Sequence, residues 1–476
     1  MMTFCKHNTK TKFMQHLVNM TRIKQSIMVK PSQKTPSKIL PLSKLDMIVR
    51  APKTHTNIFY IYDHPPSSKS PPPYTTVVET LKTALSKILV PFYPLAGRLQ
   101  LNQNRDEYEI NCNAVGALFV EAETNLTIKD LGDFQPSAEL RQLLILECDY
   151  TRDLSLIPLL MVQVTRFKCG GVGLGYTPHH HVADGTAHID FFAKYLRLAA
   201  GLNLSVPPVH DRIHVAPRDT VSIKFQHKHE FDPIVPSLPP NGFTTGDQSY
   251  DTTQSLFKIS KQQIQVLKHA TLSQAMRYTN KNNHKISTYA ILASHIWRSV
   301  CIARGISYDQ EVKLYIPVDG RSRLKDPAMP DGYFGNILFF SICTEKVGDI
   351  IHKPIWYVAS KIQESIEKMD DEYLRSAIDY LDLRPGSLDS LMGVHKFLYP
   401  NLLINSWVRL PFYKADFGWG PPKTVGNCEV KLEGLSFLTG GSNKDDDISL
   451  AINLFSVHMS IFKKHLYNFT CINSSL

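Results

Sequence analysis

Long hydrophobic runs are missing from this sequence. Nothing approaches the roughly 18 apolar residues that a membrane-spanning helix needs, and the strand-like stretches 156–164 and 450–457 are far too short. Clustered cysteines are missing as well. The eight cysteines, at 5, 112, 148, 169, 301, 343, 428 and 471, include no Cys-x-x-Cys pair and no zinc-knuckle spacing. That excludes a disulfide scaffold and predicts reduced thiols in a cytoplasmic protein. No Gly-x-Ser-x-Gly elbow occurs, so a serine hydrolase would have no obvious nucleophile. No internal repeat is visible. Acidic residues are absent before Asp46, whereas nine basic residues stand there: Lys6, Lys10, Lys12, Arg22, Lys24, Lys30, Lys34, Lys38 and Lys44.

What is present describes an ordinary globular chain. Hydrophobic residues make up 43% and charged residues 20%, a balance that fits neither a disordered nor a membrane-embedded protein. At 476 residues the chain exceeds the roughly 250–300 that one core supports, so two domains are expected. The net charge of +10 resides almost wholly in the acid-free segment. A dispersed basic tail is weak evidence for nucleic acid, which needs a basic face with interleaved aromatics. Residues 1–27 are therefore read as a flexible basic extension, with folding expected to begin near residues 28–30. An organelle transit peptide is the second reading, weakened by the scarcity of serine and arginine.

Periodicity then divides the chain. A helix is expected over 74–90, after the prolines at 71–73, and short strands at 108–112 and 118–121. A stronger strand at 159–167 turns through Cys169-Gly170-Gly171 into a second at 172–176. Ile189, Phe192, Ala193, Leu196 and Ala199 fit one helix face, with Thr186 as the expected N-cap and Gly201 as the stop. From 203 to 255, prolines and polar residues break every pattern, which is read as a crossover between domains spanning 28–202 and 256–476. Beyond it, helices are expected at 261–272, 287–303 and 356–368. Strands are expected at 312–317, 435–439 and 448–455.

Two strings carry chemistry. His179-His180-His181-Val182-Ala183-Asp184-Gly185 lies where a strand ends and a helix begins, an edge that a cleft can expose. Histidine is the side chain best suited to take a proton near neutral pH; such a pair taken alone admits a structural reading equally well. A zinc site from the three histidines is disfavoured, because neighbours on an extended segment face opposite ways. Gly170-Gly171-Val172-Gly173-Leu174-Gly175 opens no helix and has no following Lys-Ser/Thr, so small residues in a tight hairpin explain it better than a nucleotide loop. The second string is Asp416-Phe417-Gly418-Trp419-Gly420.

Together, in this order, the two strings resemble the signatures of the plant BAHD acyltransferases. Further blocks look like the hydroxycinnamoyl-CoA branch of that family: Val90-Pro91-Phe92-Tyr93-Pro94-Leu95-Ala96-Gly97-Arg98-Leu99, Asp319-Gly320-Arg321-Ser322-Arg323, Gly332-Tyr333-Phe334-Gly335-Asn336 and Ser406-Trp407-Val408-Arg409-Leu410-Pro411. The resemblance runs from about residue 28 to the C-terminus. It implies an α/β fold of two chloramphenicol-acetyltransferase-like domains with a central interdomain channel. It implies acyl-CoA as co-substrate and a small-molecule acceptor, no tightly bound cofactor, no metal, no nucleic-acid or membrane partner, and a monomer. His180 would be the general base, and the Trp407 indole N–H would receive the oxyanion. Asp416 is grouped with these as a catalytic residue, although Asp416, Gly418 and Gly420 suit a loop-securing turn. Asp184 would support the site by pairing with Arg321.

The departures fall on the acceptor side. Relatives that acylate shikimate or quinate hold the acceptor carboxylate with an arginine, which is Met392 here, and with a threonine, which is Asn405. Their Thr-x-Ser-x-Tyr set reads Thr56, Ile58 and Tyr60. A shifted loop with Lys396 supplying the charge is the alternative. Transfer of a hydroxycinnamoyl group to a hydroxyl acceptor is the leading expectation. An N-acyltransferase acting on a polyamine or aromatic amine comes second, and a non-catalytic binding relative third. The altered acceptor positions predict that shikimate and quinate are poor acceptors.

Overall fold

Leu160–Arg166 and Val172–Pro178, the strongest strand pair in the sequence, are antiparallel neighbours at the middle of a six-stranded sheet. The computed structural model describes residues 21–48, 55–64, 73–105, 107–204, 206–231, 251–278, 286–383, 399–441 and 447–469. Along the chain the strands are β1 (Thr21–Val29), β2 (Ile39–Pro41), β3 (Ile58–Tyr62), β4 (Arg98–Asn102), β5 (Glu107–Asn111), β6 (Ala117–Thr124), β7 (Leu160–Arg166) and β8 (Val172–Pro178). They continue as β9 (Thr252–Ile259), β10 (Glu311–Asp319), β11 (Leu338–Lys346), β12 (Leu402–Ser406), β13 (Thr424–Asn427), β14 (Leu435–Thr439) and β15 (Ile448–Phe455). The first sheet has the order β1-β6-β7-β8-β3-β13 and the second β11-β10-β12-β14-β15-β9, with a small β2-β5-β4 sheet beside them. Helices Tyr74–Ile88, Gly185–Ala199, Thr288–Arg304 and Ile355–Glu367 match the expected periodicity to within a few residues. No described helix is long and apolar enough to cross a membrane.

Strand β3 shows why an unbroken apolar run is needed at the site. Ile58, Tyr60 and Tyr62 face the main core, while Phe59 and Ile61 face a satellite core under helix Ala138–Leu144. Both faces are buried, so the strand cannot alternate with polar residues. The same helix explains the glycines of β8: a Cβ on Gly175 would lie 1.9 Å from the Leu144 carbonyl oxygen. The hairpin expected there is present, and its glycines admit a helix against the strand.

Several placements differ from expectation. Folding begins no later than Thr21, because β1 pairs antiparallel with β6 from Thr21↔Thr124 to Val29↔Ala117. Seven of its nine residues, Thr21 to Ile27, fall inside the segment read as an extension. An edge strand that exposes most of its side chains carries no apolar alternation, which hid it. Likewise Thr252–Ser255, placed in the crossover, belong to β9 and pair with β15.

The crossover itself is pinned at several points. Val209 bridges Tyr333, Arg218 Nε donates to Asp379 Oδ2 at 2.8 Å, and His227 Nε2 meets Ser376 Oγ at 3.0 Å. Its stretch 232–250 lies outside the described residues. Finally, β13 comes from the C-terminal half yet pairs with β3 in the first sheet. The two halves are laced together where the Asp416–Gly420 turn leads in.

Candidate active site

The histidine string is the exit from β8. Strand β8 ends at Pro178, His179 makes one further bridge to His55, and the chain crosses 180–183 in irregular backbone before helix Gly185–Ala199. The N-cap is Asp184, not Thr186: Asp184 Oδ1 accepts from Ala187 N at 3.0 Å, in the extended backbone that capping requires. Thr186 instead donates to Asp319 Oδ2 at 2.9 Å. Asp184 Oδ2 accepts from Arg321 at 2.8 Å and from Ile337 N at 2.9 Å. Burial pushes the Asp184 carboxyl up, but Arg321 and the N–H groups of Ile337 and Ala187 outweigh it and hold the group below the ordinary carboxylate range. Its oxygens are engaged with the cap, the guanidinium and the Ile337 N–H.

The three consecutive histidines differ in access. His179 and His181 are each 1% exposed, whereas His180 is only partly covered. His179 meets the His55 ring edge-on at 4.8 Å and the His181 ring at 5.1 Å. His188, on the following helix, contacts Tyr176 Oη at 3.1 Å and the His179 carbonyl at 3.3 Å. Burial drives the proton affinity of His55 and His181 well below the usual imidazole value and takes His188 to about 3, with neighbouring imidazoles adding to the effect. Around neutral pH these three rings are uncharged, so they do not crowd His180 with positive charge.

Three residues that sequence reasoning did not single out hold the same loop from its other side. Asn336 Nδ2 donates to the His180 carbonyl at 2.9 Å, and Arg212 donates to the Val182 carbonyl at 2.9 Å. Both are anchored on Asp46, which is wholly buried. One signal was available: Ser43-x-x-Asp46 is a helix-capping pattern, and the capping box it forms is present. Asn336 also closes the Gly332-Tyr333-Phe334-Gly335-Asn336 block of the family resemblance.

Trp407 follows β12, with its backbone N–H donating to the Leu438 carbonyl at 2.7 Å, and the residue is 6% exposed. Its ring lies 5.5 Å from Phe412, which in turn lies 6.0 Å from Tyr60. Tyr60 is 4.6 Å from Phe192 on the helix that Asp184 caps. One line of rings thus joins the two sheets, and Phe412, unflagged by the sequence, is the link. Segment proximity agrees: a Cβ on Gly185 would sit 3.8 Å from Leu410 Cδ1.

Of the other acceptor candidates, Thr56 N donates to the Pro178 carbonyl at 3.1 Å, just ahead of the histidines. Ile58 is buried opposite Tyr176, and Asn405 is half-buried on β12 opposite Phe437. Met392 and Lys396 lie outside the described residues.

Asp416 is engaged with its own turn. Its Oδ1 accepts from Gly418 N at 2.7 Å and from Gly420 N at 2.9 Å. Gly418 and Gly420 have φ of +101° and +89°, a region that other residues reach only with strain. The Tyr62 hydroxyl donates to the Ala415 carbonyl at 2.7 Å, and Phe417 packs edge-on against Tyr62 at 4.8 Å. Among the described residues no group of three or more His, Cys, Asp or Glu could hold a metal ion.

The fold has solved counterparts. Over 90% of this chain and 97% of the other, it superposes on the crystal structure of F. graminearum TRI101 complexed with coenzyme A and deoxynivalenol, with a TM-score of 0.75 at 16% identity. Residues 19–469 match the model described as the Transferase family, and the chain belongs to that family, the BAHD acyl-CoA-dependent acyltransferases. It is 47% identical to anthranilate N-benzoyltransferase protein 1 of Dianthus caryophyllus, covering 94% of this chain and 99% of the relative. It is 43% identical to shikimate O-hydroxycinnamoyltransferase of Nicotiana tabacum, with the same coverage of both chains.

Proposed function

We propose that the protein transfers an aromatic acyl group, benzoyl or hydroxycinnamoyl, from coenzyme A to the amino group of an anthranilate-type aromatic amine. The observation that carries this reading is the line of rings from Tyr60 through Phe412 to Trp407. Ile58, Tyr60, Phe412 and Trp407 are all buried, so this line adds apolar packing between the two sheets and no charge that would hold a polyhydroxylated acid. The name of the Dianthus relative supports the amine.

In the proposed reaction the acceptor nitrogen attacks the thioester carbonyl carbon, and a C–N bond forms. The carbonyl π pair moves onto oxygen, where the Trp407 indole N–H receives it. His180 takes the proton from nitrogen. The oxyanion collapses, the C–S bond breaks, and the thiolate leaves with the proton that His180 returns. No acyl-enzyme is needed. Asp184, Arg321, Gly418 and Gly420 support the geometry, and Asp416 secures its turn without touching the reacting atoms.

Purified protein given benzoyl-CoA or p-coumaroyl-CoA with anthranilate or shikimate, read by mass spectrometry and thiol release, tests the proposal. The anthranilate amide should dominate. Shikimate should be slower by about ten- to a hundredfold, the worth of one lost charge-assisted contact. A shikimate ester as the main product would overturn the amine reading. It would favour the second one, transfer of a hydroxycinnamoyl group to a hydroxyl acceptor, to which the Nicotiana relative's name points.

A further inference from the structure

We infer that Asp46, Arg212 and Asn336 are positioning residues that set the orientation of His180; the inference rests on His180 being the proposed base. Asp46 is built as a hub. Its Oδ2 accepts from Ser43 N at 2.9 Å, from Ser43 Oγ at 2.8 Å and from Arg212 Nε at 2.9 Å. Its Oδ1 accepts from Asn336 N at 3.0 Å and from Asn336 Nδ2 at 2.9 Å. Arg212 Nη2 also reaches Asp46 Oδ1 at 3.5 Å, and its other donors go to main-chain carbonyls: His210 at 3.0 Å, Phe334 at 2.7 Å and Val182 at 2.9 Å. The carboxamide of Asn336 has two N–H bonds, one for Asp46 and one for the His180 carbonyl. Both charges in this buried unit are paired, which opposes its rearrangement, while Asn336 Oδ1 is buried with no hydrogen-bond partner.

The placement of the contacts is what makes the unit a device for the histidine. They fall on the carbonyls of residues 180 and 182, in the peptide that leaves His180 and in the one two residues further on. Asp184 and Arg321 secure the loop further on, at the helix cap. With Pro178 fixed by Thr56 on the near side, rotation of the His180 backbone is opposed at residues 178, 180, 182 and 184. A base displaced by about 1 Å loses on the order of a hundredfold in rate even when its chemistry is intact.

The test compares Asn336→Ala with a lesion of the same kind elsewhere. Arg304 also forms a buried ion pair, with Glu433 at 2.6 Å, but it clamps the carbonyls of Pro400 and Asn401. Asn336→Ala keeps the backbone N–H bond to Asp46, so the hub survives while the His180 carbonyl is released. It should lower kcat about tenfold or more, leave KM for donor and acceptor within about twofold, and displace the acidic limb of the pH–kcat/KM profile. Arg304→Lys should lower the melting temperature while kcat per folded molecule stays unchanged.

A kcat within about threefold of wild type in Asn336→Ala, a rise in KM alone, or an unmoved acidic limb would overturn the assignment. Should Asn336→Ala fail to accumulate as folded protein, Arg212→Lys is judged by the same criteria. His180→Ala separates the two proposals. Turnover persisting there removes the base reading itself, whereas turnover lost there but unaffected in Asn336→Ala removes only the positioning role.

Discussion

The loop at 179–184 and the turn at 416–420 are both short, irregular and marked by an aspartate, yet they are held in opposite ways. The turn is organised from within: one carboxylate oxygen of Asp416 satisfies two N–H groups no more than four residues away. The histidine loop is organised from a distance. Its carbonyls and its cap are gripped by Arg212, Arg321, Asn336 and Ile337, and the Asn336 bond to Asp46 spans 290 positions. A turn whose carboxylate is satisfied locally needs from Tyr62 only one bond and one ring contact, and it serves to steer the chain from β12 into β13. A loop fixed by residues from several parts of the chain can hold one side chain in one place, which is what a general base requires.

The comparison breaks most directly at His180. His180→Ala should reduce acyl transfer by roughly 10²–10⁴-fold, the usual worth of a positioned base, with unchanged circular dichroism. Retained turnover in a folded variant would leave the histidine loop with no more claim to chemistry than the Asp416 turn. Asp184→Asn comes next. It leaves Arg321 without its buried partner, a lesion that costs about 3–5 kcal/mol in buried pairs. Arg321 keeps Asp319 and the Gly335 carbonyl, so the lower end is expected. Denaturant midpoint and activity should fall together. A shifted pH–rate profile at full stability would instead make Asp184 a direct partner of His180.

The same contrast explains what could be read from sequence. The 160–178 hairpin and helix Gly185–Ala199 were legible because each carries its own period. The cap was misplaced by two residues because Asp184 and Thr186 are both good N-cap formers, and only the tertiary bond from Thr186 to Asp319 separates them. Strand β1 was hidden by its exposure, and β13 by lying in the other half's sheet. Arg321 was named only through family resemblance. The unit of Asp46, Arg212 and Asn336, and the ring of Phe412 between Tyr60 and Trp407, have no local periodic trace at all. They exist only once the two halves are folded onto each other.

A smaller effect concerns pH. His188 binds its proton with a pKa of about 3 in the folded chain because burial opposes the charge, against about 6.5 when unfolded. The unfolded chain therefore takes up a proton first as pH falls, and stability drains away between about 6.5 and 3, at up to about 1.4 kcal/mol per pH unit for each such group. His55 and His181 are lowered in the same direction and add to it. Urea denaturation from pH 7 to 4 should show this loss, and His188→Gln should make it shallower. An unchanged slope in the variant would mean that His188 is not the neutral, buried group that drives this loss.

The smallest effect is expected at Asp416, where it discriminates most sharply between a chemical and a structural aspartate. Asn at 416 retains a carbonyl oxygen where Oδ1 now accepts from Gly418 N and Gly420 N. Asp416→Asn should therefore change stability by no more than about 0.5 kcal/mol and leave kcat essentially intact. Asp416→Ala removes the acceptor and leaves two backbone N–H groups without it, for a loss of about 1–3 kcal/mol. Activity should then fall only as far as the folded fraction does. The order Asn near wild type, Ala destabilised, is what a turn organised from within requires. A fall of about a hundredfold or more in kcat for Asp416→Asn at an unchanged melting temperature would show that the negative charge itself is used. The two loops would then have to be treated as halves of one catalytic apparatus.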